Sequence, residues 1–156
     1  MELGLFDEVG EAVRGLIPPD LGVVRFKAHR YGVKLWFDTE AAPREHYEAQ
    51  VIGAKLVPDA TVLAIEVGFH SEHSKEAENQ AVLTRLLERE RVWRKILGKE
   101  AVAGTFLGRA DQWRRLSETW PDPDLSDDDL CMEVALRITE YMTALEPALR
   151  SSGGKR

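Results

Sequence analysis

Residues 23–38 read VVRFKAHRYGVKLWFD. Val24, Phe26 and Ala28 alternate with Arg25, Lys27 and His29. After Gly32, Val33, Leu35 and Phe37 alternate with Lys34, Trp36 and Asp38. Strand side chains point to opposite faces in turn, so period two on both sides of a glycine is the pattern of a β-hairpin with one buried face.

On the N-terminal side, Leu5, Phe6, Val9, Val13, Leu16 and Ile17 recur at helical spacing. This predicts an amphipathic helix over 2–17, ended by Pro18 and Pro19, which donate no backbone hydrogen bond. On the C-terminal side, EHYEAQVIGAKLV (45–57) and TVLAIEVGFHSE (61–72) flank PDA and predict a second hairpin turning near Asp59. Its strands are apolar on both faces, which places them mid-sheet with cover on both sides. A helical period runs from Ser74 to Leu97, with Ala77, Leu83, Leu86, Leu87, Trp93, Ile96 and Leu97 as its stripe and Ser71 or Ser74 as its cap. AVAGTFLG (101–108) reads as a fifth strand or an apolar loop, and ADQWRRLSETW (110–120) as a short helix. The last helix should be capped by Ser126 and stapled by Leu125 on Leu130, burying Leu130, Val134, Ile138, Tyr141 and Leu145.

The fold class expected is α+β: a four- or five-stranded, mainly antiparallel sheet with an N-terminal helix and two or three C-terminal helices packed on it. Residues 1–150 form one domain and 151–156 a disordered tail. The 156 residues are 44% apolar and 31% charged, a globular balance with no run long enough to span a bilayer. Glu2, Asp7 and Glu8 stand where a signal peptide needs bases, and Cys131 is alone, so the expected location is a reducing cytoplasm. A net charge of −6 disfavours nucleic acid as a partner without excluding it.

Two clusters carry chemistry. The stretch EVGFHSEHSKEAEN (66–79) ends a strand with His70, Glu72 and His73. A three-residue turn centred on Asp59 would set Glu48 opposite His70 and His46 opposite Glu72, with Glu66 on the same face. With His46 and Glu48, these are candidate ligands for a divalent metal ion. The favoured reading makes them a polar seam of acid–imidazole pairs where strand passes to helix, with neither metal nor cofactor. Glu66 then needs a cation, expected to be an arginine of the middle helix.

The second cluster is basic and aromatic. Trp36 shares a face with Arg25, Lys27 and Lys34, a surface suited to an acidic or peptide partner. Asp38 followed after ten positions by Glu48-Ala49-Gln50 resembles the core of the PD-(D/E)XK nuclease superfamily, with Gln50 where lysine is usual. The resemblance implies a metal held by Asp38 and Glu48, with Gln50 positioning water. No phosphate loop or nucleophile elbow is present. The favoured function is therefore a non-enzymatic binding module, forming a homo-oligomer and contacting a protein or peptide through Arg25, Lys27, Lys34 and Trp36. The alternative is a metal-dependent hydrolase of nuclease type.

Overall fold

The structure is a computed structural model describing residues 4–150; the tail expected at 151–156 lies outside the described residues. Helix α1 (Leu5–Leu16) leads into strands β1 (Val24–His29), β2 (Gly32–Phe37), β3 (Glu45–Gly53) and β4 (Leu63–Ser71). Helices α2 (Glu76–Leu87) and α3 (Glu90–Leu97) follow, then β5 (Val102–Phe106), β6 (Arg109–Pro121) and α4 (Leu130–Arg150). The strands form one antiparallel sheet in the order β1-β2-β3-β4-β6-β5. The α+β class and the first four-strand meander match the sequence reading; the sheet has six strands rather than four or five.

The additional strand comes from residues 109–121, read from sequence as a helix. Trp113, Leu116 and Trp120 mimic helical spacing, while the period-two signal is masked by charge at two positions facing the helices. There Arg114 bonds Glu76 at 2.6 Å, and Glu118 accepts from Arg137 (2.9 Å) and from the Tyr141 hydroxyl (2.8 Å). Paired charges stand where apolar residues would have disclosed a strand.

The helices cover one face of the sheet. Phe6, Val9 and Val13 of α1, Val82 and Leu86 of α2, and Trp93 and Leu97 of α3 join Val33, Leu35, Tyr47, Val67, Phe69 and Leu116 in one core. The five α4 residues expected to be buried are all in it. Burial of each such large side chain contributes about 1.5–3 kcal/mol. The long middle helix is in fact two: the Trp93 indole N–H donates to the Leu86 carbonyl at 2.7 Å, satisfying a backbone group at the end of α2 and letting the chain turn at Arg89. Leu87 and Ile96 of the expected stripe are consequently exposed.

Neither serine caps α2. Ser71 lies in β4 and donates to the buried Asn79, which also accepts from the His73 amide and donates to the carbonyls of His73 and Gln112. Before α4, Ser126 donates to Asp124 at 2.6 Å and Leu125 is exposed, so the expected cap and staple do not form. Among the described residues, no helix packs on the opposite face of the sheet. That face is partly roofed where the β5–β6 register slips between Thr105 and Phe106, setting the Phe106 ring 4.6 Å from the His70 ring.

Helix α1 approaches β1 so closely that a Cβ on Gly10 would lie 2.4 Å from the Phe26 ring, whereas Gly15 on the same helix has open space. Gly10→Ala should destabilise the fold by about 1–3 kcal/mol through overpacking. Gly15→Ala should stabilise it by about 0.5–1 kcal/mol. Urea denaturation of the two variants should show these opposite signs.

Candidate metal centre

Strands β3 and β4 are neighbours at the middle of the sheet, and each brings a His-x-Glu triplet to the helix-free face: His46 and Glu48 on β3, and His70 on β4 with Glu72 just past its end. Residues two apart on a strand share a face, so each triplet projects both donors the same way. The register pairs His46 with His70 and Glu48 with Gly68, so facing residue numbers sum to 116 rather than the expected 118. The connection includes a 3-10 turn at Ala54–Leu56 and centres one residue earlier than Asp59. A two-residue change in the pairing leaves every side chain on its predicted face. The four residues therefore converge despite the altered partners, and all are buried.

Their donor atoms form a closed ring in which nitrogen and oxygen alternate. His46 Nε2 lies 3.2 Å from Glu48 Oε1 and 3.5 Å from Glu72 Oε2. His70 Nδ1 lies 3.0 Å and 3.3 Å from the same two oxygens. All four atoms fall within 4.8 Å of one another. Four donors bonded tetrahedrally to zinc at about 2.0–2.2 Å stand about 3.3–3.6 Å apart. The ring is close to that size.

The outer nitrogens of both imidazoles are already committed. His46 Nδ1 lies 2.9 Å from the Pro43 carbonyl, which can only accept, so this nitrogen carries the proton. His70 Nε2 donates to Glu66 Oε2 at 2.8 Å. Glu66 is held in turn by Gln50 Nε2 (2.8 Å) and the Ser117 hydroxyl (2.7 Å), and Ser117 accepts from Arg115 (2.9 Å). Thus the partner expected from the middle helix comes from β6, through a hydroxyl. A neutral imidazole with one nitrogen so occupied turns a lone pair inward, toward two carboxylate oxygens. Lone pairs facing lone pairs require either a second proton on each ring or a cation among them.

The protonated alternative shows in the acidities. Burial opposes charge on His70, but the Glu66 charge and hydrogen bonds from Glu48, Glu66 and Glu72 outweigh it and raise the imidazole well above 6.5. For His46 too, bonds to Glu48 and Glu72 outweigh burial and raise it. Burial would raise Glu48, yet its bonds from both imidazoles hold it down to about 2. Against burial, Glu72 is lowered by both rings, and Glu66 by His70 together with its hydrogen bonds from Gln50 and Ser117. Gly68, opposite Glu48 and between Glu66 and His70, leaves room here: a Cβ on it would lie 2.5 Å from the Leu116 carbonyl oxygen.

The other sequence candidates do not join this centre. Asp38 ends β2 at φ 70°, accepts from the Val23 amide at 2.9 Å, and stands outside the ring that Glu48 enters. Gln50 is spent on Glu66. Trp36, a candidate contact residue of the basic face, is 5% exposed, with its indole N–H donating to the Thr39 carbonyl at 2.7 Å. The loop after β2 takes up its polar edge. Arg25 and Lys27 remain exposed, and Lys34 Nζ lies 3.8 Å from Glu72. Ser117, Arg115 and the Phe106–Trp113 roof were missed because they lie on strands misread or left open.

No protein-family model, curated protein or solved structure matches the chain, so the site is read from its own chemistry.

Free of metal, the folded protein holds protons on His46 and His70 that the unfolded chain sheds above 6.5, so this stabilisation is full below that pH and is lost as pH rises through the raised values. The Glu48 contribution is full above 4.5 and is lost as pH falls toward 2. Chemical denaturation in the presence of a chelator should place the cluster's greatest contribution between pH 4.5 and 6.5. His46→Gln should flatten the alkaline limb.

Proposed function

We propose that this protein binds a divalent first-row transition metal ion through His46, Glu48, His70 and Glu72. The observation that carries this reading is the ring of four inward donors whose two imidazoles are each anchored from behind. An imidazole whose second nitrogen is held by a carboxylate or a carbonyl has its ligating lone pair fixed in direction. Glu66–His70 is such a carboxylate–histidine pair, and Pro43–His46 is its backbone counterpart.

Two nitrogens and two carboxylate oxygens suit zinc and its neighbours. Magnesium and calcium prefer all-oxygen shells, so the imidazoles select against them. Charge balance supports the exchange: a divalent ion replaces two imidazolium protons without changing the total. Binding should thus release about two protons per ion below the raised imidazole values. Hydrolytic zinc sites hold the ion with three protein groups and leave a fourth position to water. Four protein donors favour a binding or structural ion here, and the Asp38–Glu48–Gln50 arrangement needed for nuclease chemistry is not assembled.

Calorimetric titration of the chelator-stripped protein with Zn2+ or Co2+ should give one site per chain, while Mg2+ and Ca2+ give none. Glu66→Gln should weaken the site by roughly 10- to 100-fold, and His70→Ala by more. Bound ion should raise the melting temperature with rising free-metal concentration. Absence of a stoichiometric site in the wild-type chain would return the cluster to a set of ion pairs.

A further inference from the structure

The four donors border two cavities, and His46 lines the larger one on its Pro43 side. The other, of about 310 Å³, opens over the ring, and the residues on its wall include Glu48 and Glu72 but neither histidine. The carboxylate edge of the ring therefore faces this smaller cavity, while the imidazoles turn away toward Pro43 and Glu66. Lys34 reaches the same space from β2. It stands opposite Glu48 in the sheet, and its ammonium lies 3.8 Å from Glu72 Oε1, beyond hydrogen-bonding distance. Besides Gln50, whose amide is held by Glu66, the remaining wall is apolar, with Ile52 and Leu56 from one side and Phe106, Leu107 and Trp113 from the other.

Resting on the metal reading above, we propose that this cavity binds a small monocarboxylate with an apolar body. Its carboxylate would lie between the ion and Lys34, and its hydrocarbon part against Phe106, Leu107 and Trp113. Charge supports a single anionic group: Glu48, Glu66 and Glu72 are set against a divalent ion, Lys34 and the Arg115 that backs Glu66 through Ser117. One positive charge is left over. A phosphate ester would overcompensate it, and an ion as small as acetate would leave the apolar wall wet. Zinc-class ions accept a fifth donor, so the ligand need not displace a protein group.

The test uses the Co2+-loaded full chain, whose visible absorption reports the donors around the ion. Hexanoate should shift the bands saturably and bind at least roughly tenfold tighter than acetate, while 1-hexanol should leave them unchanged. Lys34→Gln should weaken hexanoate by roughly tenfold with the cobalt bands retained. Leu107→Ser should narrow the gap between hexanoate and acetate. Cobalt bands that ignore hexanoate, or answer acetate equally well, would overturn the carboxylate proposal and leave the metal site standing. Failure to form cobalt bands at all would overturn the metal reading, and this proposal with it.

Discussion

A buried charge must be matched on the spot, and five ionisable side chains at β3 and β4 have little but one another and a few hydrogen bonds for the purpose. Their solution is a continuous polar chain across the sheet: Arg115, Ser117, Glu66, His70, the two carboxylates, His46 and the Pro43 carbonyl. Breaking such a chain at one member leaves a neighbour buried without its partner, which in comparable settings costs about 3–5 kcal/mol. The chain also ties three adjacent strands in register through side chains as well as backbone.

The helical face supplies what the polar face lacks. Tyr47 and Phe69, which flank the histidines on their strands, point the other way and meet edge to face at 5.5 Å in the core. Tyr47 donates to the buried Glu146 at 2.7 Å, and Glu118 of β6 is clamped by Arg137 and Tyr141. Helix α4 thereby grips β3 and β6 on either side of β4. The central strands are apolar and fixed on one face, leaving the other free to carry groups that would not fold unaided.

Much of this was legible in the letters. The alternation in 23–38 is a local signal and yielded the first hairpin. The α4 stripe from Leu130 to Leu145 needs only helical geometry, and its core membership followed. The common face of His46, Glu48, His70 and Glu72 was equally legible, since parity survives a change of turn centre. What sequence withheld depends on partners distant in the chain. Arg114 and Glu118 disguised β6 because their counter-charges sit on α2 and α4. The proposal of a ligand set rests on where the outer ring nitrogens go, and one of them goes to a backbone carbonyl that no residue letter encodes. The available clue was duplication: His-x-Glu occurs twice, on strands the hairpin reading already made neighbours.

Gly68 links the two halves of this picture. It is the bare link on β4 between Glu66 and His70, and β6 lies against it so tightly that even a methyl group would strike the Leu116 carbonyl. Any side chain there would prise β6 from β4, moving Ser117 off Glu66 and freeing the His70 ring to swing. The position thus supplies no donor to the ring yet governs its alignment. A single position without a side chain thereby couples the spacing of two strands to the direction in which an imidazole points.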